Sequence, residues 1–211
     1  IETGRHLYGG AQQVLELLRG LHQAGHGQHE LACPADAALA KVARPFAQVS
    51  LLRFHGDADP RLLSDLRGIL RARPPDLVHI HSRRGADFWG LIAARMVGAP
   101  VVLTRRVDNP EPGWWARWKY SQCAAVIAIS RGIREVLLGE GVSEEQIAVV
   151  PSAVDPERYS EPCNRAWLEE KLGPLGEGPL IGIIAQLIKR KGHQDLLAAL
   201  PQIGTQAPGV H

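Results

Sequence analysis

Cysteine is scarce in this 211-residue chain: Cys33, Cys123 and Cys163 are odd in number, far apart and never in a C-x-x-C arrangement. That excludes a disulfide framework and offers no zinc spacing, so free thiols in a reducing compartment are expected. An excess of charge is also missing. Lys and Arg total 24 against 22 Asp and Glu, and a net charge of +2 argues against general nucleic-acid binding. No apolar run approaches the roughly 18 residues that cross a bilayer. Ile1-Glu2-Thr3-Gly4-Arg5 shows no basic segment leading into an apolar one, and the chain lacks a starting Met. Part of a first strand is therefore expected to precede Ile1. Neither a repeat nor a low-complexity stretch is present. What remains is 45% hydrophobic and 22% charged, the composition of a globular protein. The length suggests one complete domain and the beginning of another.

Short apolar runs alternate with helical patterns. Strands are expected at 30–33, 49–54, 77–81, 101–105, 125–129 and 148–150, several of them continuously apolar, as strands covered on both faces are. Residues 11–24 place Val14, Leu15, Leu17, Leu18 and Leu21 at helical spacing and stop at Gly25-His26-Gly27. Further helices are expected at 60–72, 86–97, 114–123 and 131–139; Arg73-Pro74-Pro75 and Gly98-Ala99-Pro100 end the first two of these. This order predicts an α/β fold, a doubly wound Rossmann-like parallel sheet, over residues 1–160. A helix at 165–172 and a Gly/Pro-rich linker fill 161–179. Residues 180–211 then read as the first strand (180–185) and helix (192–200) of an incomplete second Rossmann-like domain.

Ligands of open parallel sheets bind beyond the carboxyl ends of the strands, so those loops hold the candidates. Gly4 to Gln12 carries the pair Gly9-Gly10 directly before a helix, where close backbone approach and free N–H groups favour an anion. It is neither G-x-G-x-x-G nor a Walker A loop, and a turn without ligand is the alternative. His79 and His81 share one face at a strand's end, with no third metal ligand apparent. His79 reads as a hydrogen-bonded core residue and His81 as the one that touches substrate. Arg105 and Arg106 leave the next strand and suit either phosphate or open solvent. Residues 51–120 hold 12 basic and seven acidic side chains, a field suited to an anionic ligand or membrane surface. Within it, Trp114-Trp115-Ala116-Arg117-Trp118-Lys119-Tyr120 suits a lipid headgroup boundary or packing on the domain itself. Lys189-Arg190-Lys191-Gly192 lies after the late strand and before its helix, a place for a diphosphate.

Five segments occur in a telling order: Gly9-Gly10-Ala11-Gln12; Asp76 to His81; Val126 to Ser130 with Arg134; Val149 to Asp155; and Ala185 to Gly192. Together they resemble the family 4 (group 1) retaining glycosyltransferases of GT-B fold. The resemblance implies two Rossmann-like domains facing across a cleft, the first holding the acceptor and the second the nucleotide-sugar donor. Gly9 and Gly10 match the family's glycine loop, His81 and Arg105 fall at its catalytic cleft, and Ser130 and Ser152 line the acceptor side. Lys191 matches the lysine that holds the donor diphosphate. Gln186 stands where the family has an arginine, and Lys189 or Arg190 would replace its charge. Arg105 stands where His is frequent, and Ser152-Ala153 where Asn-Gly is common. The family's acidic E-x7-E motif has no counterpart before His211, so this chain by itself is expected to be inactive.

The activity implied is sugar transfer with retention to a glycan or lipid-linked acceptor, in cell-surface polysaccharide or lipopolysaccharide synthesis. No metal and no cofactor are expected, because cations and amides stabilise the leaving diphosphate. The expected setting is cytoplasmic, with peripheral contact at the inner membrane face, no nucleic acid, and a homodimer formed through 180–211. The alternatives are a nucleotide-sugar epimerase-like enzyme, which calls for paired carboxylates or histidines in the cleft, and a non-catalytic Rossmann-like binding module.

Overall fold

The computed structural model describes residues 1–83, 85–162 and 164–210, the side chains of Arg158 and Arg190 excepted. Cys163 and the Arg190 side chain, read above as a thiol and a phosphate ligand, thus lie outside the described residues. Two compact units divide between Val154 and Asp155, close to the boundary expected at 160.

The first unit begins with α1 (Gly9–Gln23), β1 (Glu30–Pro34), α2 (Leu39–Val42), β2 (Gln48–Leu52) and α3 (Arg61–Ala72). It continues through β3 (Val78–Ile80), α4 (Ala86–Val97), β4 (Val101–Arg105), α5 (Gly113–Ser121), β5 (Ala125–Ala128), α6 (Arg131–Gly139) and β6 (Ile147–Val149). All six strands expected in this unit form, and every pairing is parallel. The four-residue α2 carries too little periodicity to be read beforehand. Its Leu39 and Ala40 nevertheless help to close the core.

Strand pairing gives β1-β2 and β3-β4-β5-β6. The first three residues join them: Glu2 N–H donates to Ala32 O at 3.1 Å, and His81 N–H donates to Ile1 O at 3.0 Å. The strands therefore run β2, β1, residues 1–3, β3, β4, β5, β6. The winding reverses between residues 1–3 and β3, the switch point at which such sheets bind ligands.

Alternation along β1 divides the core into two clusters. Leu31 and Cys33 face Val14, Leu15 and Leu18 of α1 with Leu39 of α2. Ala32 belongs to the larger cluster, with the α3 stripe Leu62, Leu66 and Leu70 and with Ile80, Leu91, Leu103 and Val126. Each such leucine contributes roughly 1.5–3 kcal/mol through burial. Cys33 and Cys123 are buried free thiols, pushed up to about 11 and about 12 by burial.

The second unit holds α7 (Arg165–Leu172) and α8 (His193–Gln206). Asn164 caps α7, its Oδ1 accepting from Trp167 N–H at 3.0 Å. The strand expected at 180–185 does not form; those residues are irregular and exposed. A strand is stable only against a neighbour, and none of the described strands pairs with this run. Helix α8 continues past Pro201, where it was expected to stop at 200.

Candidate functional site

Helix α1 begins at the switch point, directly after the loop from Gly4 to Tyr8. Tyr8 occupies the N-cap in an extended conformation and offers no side-chain cap. The first backbone hydrogen bond into the helix is Gln12 N–H to Tyr8 O at 2.8 Å. The leading amides, those of Gly9 and Gly10 among them, therefore point at whatever lies beyond the 15-residue helix, with its positive dipole end behind them. A Cβ on Gly9 would meet nothing within 4 Å, and one on Gly10 would stop 3.7 Å from the Arg106 Cδ.

Arg106 is the side chain facing this glycine pair. It is half-buried, and its buried Nε finds no partner among the described residues. Burial holds its pKa below the ordinary arginine value. The histidine pair lies alongside. His79 Nε2 and Thr104 Oγ1 are 2.7 Å apart, as expected of a hydrogen-bonded core residue. The His81 ring lies against it, centroids 3.8 Å apart and planes tilted by 35°. His81 is buried, and its Nδ1 finds no partner among the described residues. Burial, with the Arg106 charge adding to it, pushes His79 down to about 4 and His81 well below the usual histidine range. Both rings are neutral at pH 7. Thr3 and Ser82 close the other side through their hydroxyls, 2.7 Å apart.

The loop after β6 reaches the same helix. Gln13 Nε2 donates to Ala153 O at 2.6 Å, and Ala153 N–H donates back to Gln13 Oε1 at 2.8 Å. That doubly bonded amide carries the adjoining Ser152 to the first turns of α1. Gly9, Gly10, His81 and Ser152 thus converge on one end of the sheet.

Arg105 does not join them. Its side chain is fully buried, and all five guanidinium N–H donors are spent. Nε donates to Val107 O at 2.7 Å; Nη1 donates to Glu111 Oε2 and to Tyr120 Oη, both at 2.6 Å. Nη2 donates to Asn109 O and, at 3.4 Å, to Glu140 Oε1. Lys119, also fully buried, adds its Nζ at 2.5 Å from Glu111 Oε2 and 3.2 Å from Asp87 Oδ2. The phosphate or substrate contact expected of Arg105 has no donor left to make it. This network instead ties the loop after β4 to α4, α5 and the end of α6.

Ser130 spends its hydroxyl on capping α6, accepting from Ile133 N–H at 3.2 Å, and Arg134 pairs with Glu135 and Glu144. Trp114 and Trp118 are exposed rather than packed inward; the inner face of α5 is Ala116, Lys119 and Tyr120. In the second unit, Lys189 and Lys191 bracket a single 3₁₀ turn before Gly192 and α8, both exposed and without an ion pair among the described residues. Gln186 is exposed on the approach to that turn, its carbonyl accepting from Ile188 N–H at 2.8 Å. No group of three or more His, Cys, Asp or Glu among the described residues is placed to hold a metal ion, and no described helix is long and apolar enough to cross a membrane.

Of the residues gathered here, the sequence singles out Arg106 only together with Arg105, and it misses Gln13. Arg106 stands beside Arg105, and strand alternation sends neighbours to opposite sides, but nothing in the sequence says which side is the core. Gln13 carries no motif signal at all.

Comparison with known proteins adds a lineage. Residues 8–158 match the family described as Glycosyltransferase Family 4. A 2-deoxystreptamine glucosyltransferase of Streptomyces kanamyceticus is 26% identical over 231 residues, covering 90% of this chain and 59% of that protein. A GDP-mannose-dependent alpha-mannosyltransferase of Mycobacterium tuberculosis is 24% identical, covering 93% of this chain and 56% of that one. The crystal structure of Anabaena HepE, in complex with UDP and glucose, superposes with a TM-score of 0.76 at 18% identity, covering 99% of this chain and 57% of HepE. The chain thus spans a little over half the length of the relatives it matches.

Proposed function

Because the chain belongs to glycosyltransferase family 4, we propose that it supplies the acceptor-side domain and the first part of the donor side of an enzyme that transfers a sugar from a nucleotide-sugar donor. The reading places a glycan or lipid-linked hydroxyl as acceptor, with retention at the anomeric carbon. The observation that carries it is the anion-ready corner at the switch point: uncapped α1 amides, the Arg106 guanidinium and a buried His81 Nδ1 that has no partner among the described residues. Cleaving the sugar–diphosphate bond builds negative charge on the leaving group. Fixed N–H donors and cations in a water-poor site stabilise that charge without reorganising. Gly9, Gly10 and Arg106 would meet it from this domain. Lys191, with Lys189 and Arg190 beside it, would meet it from the donor side, and Gln186 would accept or donate a hydrogen bond there. His81, neutral at pH 7, would hydrogen-bond the substrate, and Ser152 would border the acceptor. Ser130, at the next strand end, would border it too.

Exposed Trp114 and Trp118 beside the basic Arg117 support peripheral contact with an anionic membrane surface, which this reading puts on the cytoplasmic side. The unpaired, exposed run 180–185 supports association with a second copy. The retaining chemistry and a role in cell-surface polysaccharide synthesis belong to this same reading.

The test is differential scanning fluorimetry of the full gene product carrying this chain against UDP-, GDP- and ADP-sugars. One nucleotide class at 100 times its dissociation constant should stabilise the protein by about 2.7 kcal/mol and raise its Tm by several degrees. No shift with any of them would reject the reading.

A further inference from the structure

Glu2 is 4% exposed and lies at the switch-point corner, whose other groups suit an anion. Its Oε1 accepts from Gly4 N–H at 2.7 Å, and it forms no ion pair with any of the described residues. A carboxylate without a cationic partner is costly to bury, so packing alone gives no reason for one here.

Strand alternation aims this side chain. Ile1 packs against the larger core cluster, and Thr3 Oγ1 lies 2.7 Å from Ser82 Oγ. Glu2, between them, turns to the opposite face of the sheet. That is the face α1 covers, where Cys33 is buried. The Glu2 charge adds to the rise of the Cys33 thiol, and it raises Arg106 against the downward pull of burial. A Cβ at Gly4 would stand 2.9 Å from Glu2 Oε1, so the glycine is what lets the backbone N–H reach the carboxylate. Glu2 is thereby held by backbone, near enough to Arg106 for its field to act and too far for an ion pair.

No other charge cancels it. His79 and His81 are neutral at pH 7. Burial holds the Ile1 amino group, which donates to His79 O at 2.6 Å, down to about 6, so it is largely uncharged as well. Arg5 pairs with Asp36 at 2.9 Å, and Arg105 and Lys119 are spent on Glu111, Glu140 and Asp87. Among the described residues of this corner, Arg106 keeps the uncommitted positive charge, and Glu2 opposes it.

That opposition is selective. When a nucleotide sugar loses its sugar, the outer phosphate becomes terminal and ionises again at about pH 6, so the released diphosphate carries about one negative charge more. A fixed negative charge therefore weakens the product more than the donor that entered. Product release limits many enzymes, and a corner built only of donors and cations would delay it. We propose that Glu2 is the counter-charge of this corner: by offsetting Arg106 it limits affinity for the nucleoside diphosphate product and lets that product leave. The inference rests on the glycosyltransferase reading for the identity of the anion, and on the buried carboxylate alone for the direction of the effect.

Calorimetric titration of the full gene product, wild type against Glu2→Gln, tests it with UDP, GDP, ADP, their sugar conjugates and inorganic pyrophosphate. Gln keeps the oxygen that Gly4 N–H donates to and loses only the charge. The diphosphate of the matching nucleotide should bind Glu2→Gln about tenfold tighter, the effect of one nearby charge removed, and the nucleotide sugar should gain less. Glu2→Met, which removes the charge together with the Gly4 bond, should shift product affinity the same way, and Glu2→Asp should stay near the wild type. Structural damage would weaken binding instead. Unaltered or weaker product affinity in Glu2→Gln and Glu2→Met overturns the proposal, as does equal tightening of product and donor. Nucleotide sugars that still stabilise the protein in that case leave glycosyl transfer standing. Conversely, pyrophosphate bound tighter by Glu2→Gln, with no nucleotide bound by either protein, supports the counter-charge and counts against the transferase reading. If neither protein binds pyrophosphate or any nucleotide, both readings fall.

Discussion

Arg105 and Arg106 are chemically identical neighbours with opposite environments. The first has five donors and five partners in the interior; the second keeps a buried Nε without one among the described residues. Removing one member of a buried ion network leaves uncompensated charge and costs about 3–5 kcal/mol. Arg105→Met should therefore lower unfolding stability by that amount in urea titration, whereas a cost below about 1 kcal/mol would show that the network contributes little. The sequence shows two arginines after a strand and a mild positive field. It cannot show which one the carboxylates of Glu111 and Glu140 claim, because those lie six and 35 residues away and meet Arg105 only through the fold.

His79 provides a pH dependence. Burial holds it near 4 in the folded chain, against 6.5 when exposed. Between those values the unfolded chain binds the extra proton. Stability is therefore fully present above about pH 6.5 and falls as pH drops toward 4, by about 1.4 kcal/mol per unit. His79→Asn keeps a hydrogen-bonding partner for Thr104 but cannot titrate. Between pH 7 and pH 5 the wild type should lose about 2 kcal/mol more than this variant in urea unfolding. Equal losses in the two proteins would mean that His79 titrates normally. That His79 would bond within the core was readable from its place on an apolar strand; its neutral state depends on burial that only the packed structure supplies.

Among the elements, two positive-φ glycines flank α4 and differ in what surrounds them. Gly85 (φ 75°) lies against the Asp57 backbone, while a Cβ added at Gly98 (φ 73°) would meet nothing within 4 Å. Both positions disfavour a side chain, but only Gly85→Ala adds a backbone clash. Gly98→Ala should cost about 1 kcal/mol and Gly85→Ala more, about 3 kcal/mol. Equal Tm losses for the two would show that Asp57 yields without strain. Element reading from sequence was most faithful where periodicity and stop signals coincided: residues 86–97, 101–105 and 131–139 form as expected, each bounded by a loop, glycine or capping serine. It failed at 180–185, where apolar content was right for a strand but no described neighbour pairs with it. It also failed at Pro201. A proline removes one N–H and crowds one carbonyl, and α8 tolerates that loss without ending.

At the scale of the whole molecule, the alternation of strands and helices made the parallel sheet legible, and with it the end of the sheet where ligands gather. Strand order was not legible, since it depends on residues 1–3 bonding to β1 on one side and to the end of β3 on the other. That order places Gly9-Gly10 next to His81, and the Gln13–Ala153 pair then draws in Ser152. The central claim is that this corner receives the diphosphate of a nucleotide sugar. Calorimetric titration of the full gene product with the nucleotide sugar that stabilises it, wild type against Arg106→Met, tests this most directly. The account predicts binding weakened by about tenfold or more, the worth of a charged hydrogen bond, with unfolding stability nearly unchanged. Unaltered affinity in a folded Arg106→Met protein would contradict it.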